Sequence, residues 1–458
     1  MKRSLTILFV LAIFTSVFAV PVAADPEPDS FIVIGENNRL PAGWEARVKA
    51  LGGRVLRTMP EIGVAVVEFG SRNQAKSLGE FNGMQSVVPD LKFERIDPVE
   101  QYALGDFGNP PTSGDDDFFF DLQWGHDAIN SPEAWARGAT GANVRVAVLD
   151  EGFDMDHPDL ASNINYALAK SFVPGEPVDY LLADVFSHGT HVAGIIAAGD
   201  NGYGTIGVAP EAEIVPVKVL SEVLGYGEFS WLIDALMYAA DIEADVVNMS
   251  LGGTIYLDEV PPEEVWEVLE LYVAIARATQ YAHRRGVTLI TSAGNSGIDA
   301  DSENVLILPS DAPWVIDVSA TAPIGWAVDP STNLDVPTFY TNYGKRLIDY
   351  AAPGGSIEYP GNETCTVAGV FHYCYVFDLV FSTGSLGNYY WAGGTSQAAP
   401  HVAGLAAIII SEAGGSLSPN RVAFWLGLTA DDLGPWGKDA FFGWGRINAE
   451  KFMKWSPW

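Results

Sequence analysis

Apolar and polar positions over residues 30–97 form short runs that switch between two periods. Alternating or continuous apolar residues are typical of strands, whereas apolar residues spaced three or four apart are typical of helices. The pattern predicts strands over residues 30–34, 53–56, 63–69 and 84–88, and helices over residues 41–51 and 73–81. This βαββαβ order is that of a small ferredoxin-like α+β domain.

A second pattern begins near residue 121, where apolar strands alternate with longer helical stretches. The predicted strands cover residues 144–149, 214–219, 245–250, 287–292, 315–320 and 347–352, and the predicted helices cover residues 188–198, 230–242, 262–285, 396–410 and 419–428. Strands that are apolar throughout and separated by helices indicate a mostly parallel sheet with helices on both faces. We therefore expect an α/β domain over residues 118–458.

Residues 98–117 separate the two patterns and are rich in glycine, proline and aspartate. Such a segment lacks the apolar residues that a packed core needs, so it predicts a linker that contains a proteolytic processing site.

The first 24 residues have the features of a secretory signal. Lys2 and Arg3 are basic, residues 5–20 are apolar, and small residues follow. We expect cleavage after Ala24, with Ala19 as the alternative, and secretion of the remaining chain. An uncleaved anchor is the other interpretation, although the apolar run is short for a bilayer span. The rest of the sequence has no stretch suited to crossing a membrane.

The chain of 458 residues has a net charge of −33. The acidity lies in residues 99–458, which carry 14 basic and 47 acidic residues. Because phosphate groups would be repelled, this charge argues against nucleic acid and anionic membranes as partners. Three explanations remain open, namely a solubilising surface, a saline habitat, or additional cation sites.

Cys365 and Cys374 are the two cysteines, and they lie close together in a polar segment. In an exported protein they could form a small disulfide, and two free thiols are the alternative. Without a second pair they make a poor zinc site.

Three residues suited to nucleophilic catalysis stand at the ends of predicted elements. Asp150 ends a strand, His188 begins a helix, and Ser396 begins another helix after Gly394. A serine hydroxyl needs a base within hydrogen-bond reach, histidine exchanges a proton near neutral pH, and an aspartate can orient the imidazole. The order Asp, His, Ser is one in which such triads occur. Alone, each residue could be a helix cap or a structural residue; together they predict a serine peptidase.

Asn295 follows a predicted strand within the glycine-rich run 292–297. Its side-chain amide could donate a hydrogen bond to an oxyanion, beside the backbone N–H of Ser396. Taken alone, Asn295 could equally be a turn residue.

These motifs together resemble the subtilases, the subtilisin-like serine peptidases. The matching segments are residues 146–152, 157–160, 188–210, 248–252, 292–297 and 394–404, in the family's order. The resemblance implies a secreted, monomeric serine endopeptidase that hydrolyses proteins and peptides through an acyl-enzyme. It also implies that residues 25–97 are a propeptide, which acts as folding chaperone and temporary inhibitor and is removed by self-cleavage near residues 98–115.

The same resemblance implies how an extended substrate would bind, namely as a strand between two backbone edges. The positions that match these edges and the primary specificity pocket are Gly225, Gly227, Ser250, Leu251, Gly252, Ala293 and Gly294. Residues 308–310 would line the far side of the pocket. With no charge among these positions, we expect an apolar or broad preference.

Calcium is the cofactor that the resemblance implies. The matching ligands are Asp159, the side chain of Asn201, carbonyls of Gly199, Tyr203 and Thr205, and a carboxylate from Asp116. Oxygen ligands of this mixture suit Ca²⁺ rather than zinc. A polar surface loop is the alternative interpretation, and His191 and His401 are expected to be structural.

Two features depart from the family pattern. Glu151 replaces the usual small hydroxyl residue after Asp150, and near His188 it would favour the protonated imidazole and move the activity profile to higher pH. Residues 356–391 form a longer segment than usual before Ser396, which could border the substrate cleft.

Three rival functions fit the sequence less well. An inactive homologue is disfavoured because all four catalytic positions are filled. A lipase or esterase of the α/β-hydrolase type would need a Gly-x-Ser-x-Gly elbow and the order Ser, acid, His. A carboxyl-type serine peptidase would have a glutamate in place of His188.

Overall fold

The computed structural model of the chain describes residues 30–94, 98–103, 116–182 and 186–458. The predicted signal segment over residues 1–24 and most of the predicted linker lie outside these ranges. None of the helices in the described ranges combines the length and apolar character needed to span a bilayer.

The N-terminal domain is a four-stranded antiparallel sheet with two helices. Its elements are β1 (Ser30–Gly35), α1 (Trp44–Ala50), β2 (Arg54–Met59), β3 (Val64–Glu68), α2 (Arg72–Gly79) and β4 (Met84–Pro89). The strand order is β2-β3-β1-β4, so the predicted βαββαβ arrangement is confirmed. Two short strands follow, β5 (Lys92–Glu94) and β6 (Glu100–Ala103).

Strand β1 is buried on both faces, which explains why its residues 31–34 are all apolar. Phe31 and Val33 pack in the core of this domain, whereas Ile32 and Ile34 join the core of the larger domain. Successive side chains of a strand point to opposite faces, so alternate residues serve the two cores.

The larger domain is built from helices and a mostly parallel sheet. Its helices are α3 (Trp124–Ile129), α4 (Ser131–Trp135), α5 (His188–Ala197), α6 (Phe229–Asp241), α7 (Val265–Arg284), α8 (Thr395–Glu412), α9 (Pro419–Thr429) and α10 (Ala449–Trp455). Its strands are β7 (Arg145–Asp150), β8 (Lys170–Ser171), β9 (Glu213–Lys218), β10 (Tyr226–Glu228), β11 (Val246–Met249), β12 (Gly253–Tyr256), β13 (Thr288–Ser292), β14 (Val305–Leu308), β15 (Val315–Ala322), β16 (Val336–Pro337), β17 (Tyr350–Pro353), β18 (Thr364–Val367), β19 (Val370–Tyr373), β20 (Val380–Thr383) and β21 (Tyr389–Gly393).

The central sheet has the order β16-β15-β13-β11-β7-β9-β8, and β17 also pairs with β15. Strand β16 is antiparallel and the other pairs are parallel. In β7, Val146 and Val148 face the core that contains α5 and α8, and Ala147 and Leu149 face the core that contains α6 and α7. The predicted α/β sheet with helices on both faces is confirmed.

Part of the predicted linker over residues 98–117 has regular structure. Residues Glu100–Ala103 form β6, which pairs with β21, and Asp117 is buried. The strand was not predicted because its partner lies far away in the sequence, and pairing rather than local apolar character makes it a strand.

The segment over residues 356–391 contains a β18–β19 hairpin. Cys365 and Cys374 form a disulfide there, so the two thiols are paired. Aromatic residues of this segment pack into a separate apolar cluster beside α3.

Candidate active site

The carboxyl ends of three neighbouring parallel strands meet at one edge of the central sheet. Strand β7 ends at Asp150, β11 ends just before Ser250, and β13 ends just before Ala293. Sites in α/β folds form at this edge, because the loops after adjacent strands converge there.

Asp150 and His188 are in direct contact. The Nδ1 atom of His188 lies 2.8 Å from Oδ1 of Asp150, and both side chains have no exposed surface. The backbone N–H of Glu151 donates to the same carboxylate oxygen across 2.8 Å. A carboxylate held at Nδ1 keeps the proton on that nitrogen, so Nε2 is the atom that can accept a proton.

The start of α5 holds His188 in place. Ser187 caps the helix, because its hydroxyl accepts from the backbone N–H of Thr190 and donates to the carbonyl of Gly152. The carboxylate of Glu151 accepts from the backbone N–H of His188 across 2.6 Å. A buried negative charge at a helix N-terminus is stabilised by the helix dipole.

Ser396 lies in the first turn of α8, beside the end of β11. Its Oγ is 3.4 Å from the carbonyl oxygen of Ser250, and Oγ of Ser250 donates to the carbonyl of Ser396 across 2.8 Å. These contacts put Ser396 one strand away from Asp150, because β11 and β7 are neighbours. The N-terminus of this long helix also directs backbone N–H groups and a positive dipole end at the site.

Asn295 is oriented by Thr395. Its Oδ1 accepts from the backbone N–H of Thr395 across 2.9 Å and from its hydroxyl across 2.8 Å. Because both donors require the amide oxygen, the amide nitrogen is the end that can donate to a negative oxygen. Sequence reasoning identified Asn295 but missed Thr395.

One predicted substrate edge is paired with the chain itself. Strand β10 pairs antiparallel with β5, placing Gly227 opposite Phe93. The ring of Phe93 is buried, and its centroid lies 4.8 Å from that of Phe229. A Cβ on Gly227 would lie 2.8 Å from the ring of Phe93. A glycine is therefore needed where the backbones approach closely.

The residues predicted to line the specificity pocket follow β11 and β13, and Gly253 beside them approaches Phe93 of β5. Leu251 and Ala293 are fully buried, and a Cβ on Gly252 would lie 2.6 Å from the carbonyl oxygen of Leu308. Gly294 has a φ of +101°, and its Cβ would meet the amide of Asn342 at 2.4 Å. The predicted neighbours of the pocket are thus brought together.

After the undescribed residues 95–97, the chain pairs with a second backbone edge, that of β21. The backbone N–H of Val99 donates to the carbonyl of Gly393, and β6 continues antiparallel to β21. A Cβ on Gly394 would be 3.7 Å from Cα of Pro98. The described chain therefore reaches the site from both sides, at Glu94 and at Pro98.

The predicted calcium ligands come together, but not in the predicted arrangement. Asp159 accepts from Nδ2 of Asn201 (3.1 Å) and from the backbone N–H (2.7 Å) and hydroxyl (2.9 Å) of Thr205. Burial raises the pKa of Asp159 to about 7. Asn201 presents its amide nitrogen to Asp159, and a half-turn of the amide would present the oxygen, which is the atom that can bind a cation.

Acidic side chains lie together beside the same loop. Carboxylate oxygens of Asp116, Asp117 and Asp200 are within 4.8 Å of one another. Asp117 also accepts the backbone N–H groups of Asn201 and Tyr203 across 3.2 and 3.0 Å. Asp116 was predicted as a ligand, whereas Asp117 and Asp200 were missed.

Two histidines near the site are buried. Burial lowers the pKa of His191 and of His401 to about 3. The ring nitrogens contact the carbonyls of Tyr390 and Gln397, respectively.

Comparison with known proteins supports one family. Residues 141–445 match the model of the subtilase family, peptidase S8. The chain is 35% identical over 292 residues to the major intracellular serine protease of Bacillus subtilis, covering 64% of this chain and 76% of that protein. It is also 35% identical over 291 residues to subtilisin NAT of Bacillus subtilis subsp. natto, covering 64% of this chain and 61% of that protein.

A solved structure extends the likeness to the whole fold. The epidermin leader peptide processing serine protease of Staphylococcus aureus superimposes with a TM-score of 0.72 at 23% identity. The alignment covers 94% of this chain and 99% of that one.

Proposed function

Because the chain belongs to the subtilase family and is a subtilisin-like serine endopeptidase, we propose that Ser396 is its nucleophile. His188 is the general base and Asp150 orients it. The observation that carries this assignment is the fully buried 2.8 Å contact of Asp150 with Nδ1 of His188, at the sheet edge that also holds Ser396.

In the first half-reaction, Nε2 of His188 takes the proton from Oγ of Ser396 as Oγ bonds to the substrate carbonyl carbon. The carbonyl oxygen becomes negative, and the imidazolium then gives its proton to the leaving amine as the C–N bond breaks. The result is an acyl-enzyme on Ser396. A water molecule then repeats both steps and releases the carboxylic acid.

The negative oxygen is stabilised by Asn295 and by the backbone N–H of Ser396. Thr395 holds the amide oxygen of Asn295, so the donor nitrogen is oriented before the substrate arrives. A preorganised donor of this kind costs no reorganisation in the transition state.

We further propose that residues 25–97 are an inhibitory propeptide that the enzyme removes from itself. The support is the pairing of β5 with β10 and of β6 with β21, which brings one chain to both sides of Ser396. This geometry favours cleavage between Glu94 and Pro98, upstream of the site first expected over residues 98–115. The released part would compete with protein and peptide substrates for the same edges.

Secretion of a monomeric enzyme is also a proposal. It rests on the basic and apolar pattern of residues 1–24 and on the Cys365–Cys374 disulfide, since disulfides persist in oxidising compartments. Recovery of the enzyme inside cells, with residues 1–24 intact, would contradict it.

The subtilase family commonly binds structural calcium. We propose that this chain would hold it at loop 199–205, through Asp116, Asp117 and Asp200 beside the predicted ligand Asp159. The ion would neutralise three clustered carboxylates and fix the loop.

One experiment tests both the activity and the self-processing. The full chain and its Ser396→Ala variant are expressed alone, assayed on casein, and sequenced at their N-termini. We expect casein hydrolysis and a new N-terminus within residues 95–98 for the wild type only. A processed or active Ser396→Ala protein would overturn the assignment of Ser396.

A further inference from the structure

The segment over residues 98–103 is bound along an edge of the larger domain. In β6, Gln101 and Ala103 are exposed, whereas Glu100 and Tyr102 are partly covered. The antiparallel register puts Glu100 opposite Gly393 and Tyr102 opposite Trp391. The side chain of Tyr102 therefore lies on the same face as Trp391.

Tyr102 contacts the inserted segment over residues 356–391. Its hydroxyl is 3.3 Å from the hydroxyl of Tyr375. Its ring lies edge-on to the rings of His372 and Tyr375, with centroids 5.4 and 6.0 Å away. Edge-to-face contacts at these distances stabilise aromatic pairs.

The surface that receives Tyr102 is held by its own packing. Trp391 is fully buried and touches the rings of Phe377 and Phe381, at 5.7 and 4.5 Å. The Cys365–Cys374 disulfide links β18 to the residue that follows β19, the strand that carries His372. Such a surface needs little ordering when a ligand binds, which favours affinity.

The same surface lies on the path that a substrate would take. Peptide residues after the scissile bond continue from Ser396 past Gly393, where Val99 already bonds. Without β6, the N–H and C=O groups of β21 along this edge would be available to another strand.

We propose that β21 and the aromatic site, defined as His372, Tyr375 and Trp391, bind the residues that follow the scissile bond in protein substrates. The backbone of β21 would pair with any extended peptide. The aromatic site would select an aromatic side chain, tyrosine above all, at the position of Tyr102. This inference rests on the proposed cleavage at Ser396.

The preference for tyrosine follows from two contacts. The ring packs edge-on against His372 and Tyr375, and the hydroxyl lies within hydrogen-bond distance of the hydroxyl of Tyr375. The phenol is neutral near pH 7, and burial against this site raises its pKa further. Phenylalanine would keep the ring contacts and lose the hydrogen bond, and alanine would lose both.

In the full chain the site is occupied by its own residues 98–103. After self-cleavage this segment remains attached to the larger domain as its new N-terminus. Substrates therefore compete with it for β21, so substrates with a tyrosine at the matching position have an advantage.

The test uses the protease recovered after expression of the full chain. Three peptides with the sequence of residues 90–106 carry Tyr, Phe or Ala at position 102. The reference substrate is a short chromogenic peptide whose leaving group directly follows the scissile bond, so that it cannot reach β21 or the aromatic site. We measure kcat/KM for each long peptide relative to the short one. We expect the order Tyr, Phe, Ala, with about a tenfold range.

Variants of the inserted segment then test whether the effect comes from the aromatic site. Tyr375→Phe should abolish the difference between the Tyr and Phe peptides, and His372→Ala should narrow the difference between Phe and Ala. Phe371→Ala is the matched control, because Phe371 is an exposed neighbour on the opposite face of β19.

The outcomes separate the two proposals. Equal kcat/KM for the Tyr, Phe and Ala peptides, with the short peptide hydrolysed, would overturn the aromatic site alone. Equal effects of Phe371→Ala and Tyr375→Phe would also overturn it. Failure to hydrolyse any peptide would instead contradict the function proposed for Ser396.

Discussion

The carboxylate of Glu151 accepts a hydrogen bond from the backbone N–H of His188, with 2.6 Å between the two atoms. Both side chains are buried, and the imidazole of His188 contacts Asp150 through Nδ1. Two adjacent carboxylates therefore contact one histidine: Asp150 contacts its ring, and Glu151 accepts from its backbone N–H. Glu151 is a positioning residue in this arrangement, and its charge is close to the proposed base.

We predict that Glu151→Gln moves the acid limb of the kcat/KM profile to lower pH. Glutamine keeps an oxygen acceptor for the N–H of His188 and removes the charge that favours the protonated imidazole. Other charged or titratable groups nearby are Asp150, His191 and the buried pair Lys218–Glu222, which remain unchanged. Kinetics over pH 5–10 measure the shift.

Glu151→Ser provides the comparison, because it removes both the charge and the acceptor. We expect the same pH shift with an additional loss of kcat, since the start of α5 loses its contact with β7. A pH profile identical in all three proteins would refute an electrostatic role for Glu151.

Thr395→Val should lower kcat by about tenfold and leave KM nearly unchanged. Valine removes the hydroxyl that holds Oδ1 of Asn295 but retains the backbone N–H. For comparison, Asn295→Ala should cost about 10²–10³ in kcat, the size seen when such a donor is removed from a subtilisin. Thr395→Ser keeps the hydroxyl and should restore the wild-type rate; a Ser variant as slow as Val would contradict this account.

Asp90 should make release of the N-terminal domain dependent on pH. It is buried between the domains, where it accepts from Ser230 at 3.0 Å and from Ser30 at 3.3 Å. Burial, reinforced by the charge of Glu228, raises its pKa to about 7. After release its pKa would fall to about 4. The favourable contribution of neutral Asp90 is therefore complete below about pH 4 and is lost as pH rises towards 7.

The measurement is the lag before the full chain becomes active, normalised to mature activity at each pH. We expect the lag to shorten at least tenfold between pH 5 and 8 in the wild type. Asp90→Asn, which mimics the protonated form, should keep a long lag throughout. If the lag of the Asp90→Asn variant shortens with pH as much as that of the wild type, another group controls release.

Calcium should raise the melting temperature of the wild type, and EDTA should lower it. Replacing both Asp116 and Asp200 by Asn should remove this difference, because repulsion among three clustered carboxylates is relieved without the ion. In EDTA the double variant should therefore melt above the wild type. The exposed acid Glu259, changed to Gln, is the control, and a calcium response that persists in the double variant would place the ion elsewhere.

The long elements could be predicted because their apolar patterns are continuous. Strand β7 and helix α8 were located to within one or two residues, and their ends position Asp150 and Ser396. The reason is physical: a strand buried on both faces must be apolar at every position, which few other segments are. The triad residues were then found from their places at element ends.

The short elements could not be predicted. Strands β5, β6, β10 and β21 have three to five residues each, and they exist because partners distant in sequence pair with them. The orientation of the Glu151 side chain could not be predicted either, since a glutamate side chain has several rotatable bonds. Likewise, Asn201 was assigned as a ligand by position, but its contact with Asp159 depends on which amide end turns inward.

Strands β5 and β6 belong to one chain but are held by two separate edges, β10 and β21. While β5 and β6 are joined, the pairing of one strand keeps the other at a high effective concentration near its own edge. A strand that dissociates from its edge therefore rebinds quickly. Hydrolysis of a single bond between them leaves every contact in place and removes this mutual tethering. The cut would thus leave β6 attached to the larger domain and β5 bound only through its own non-covalent contacts, and activation would begin as a loss of avidity.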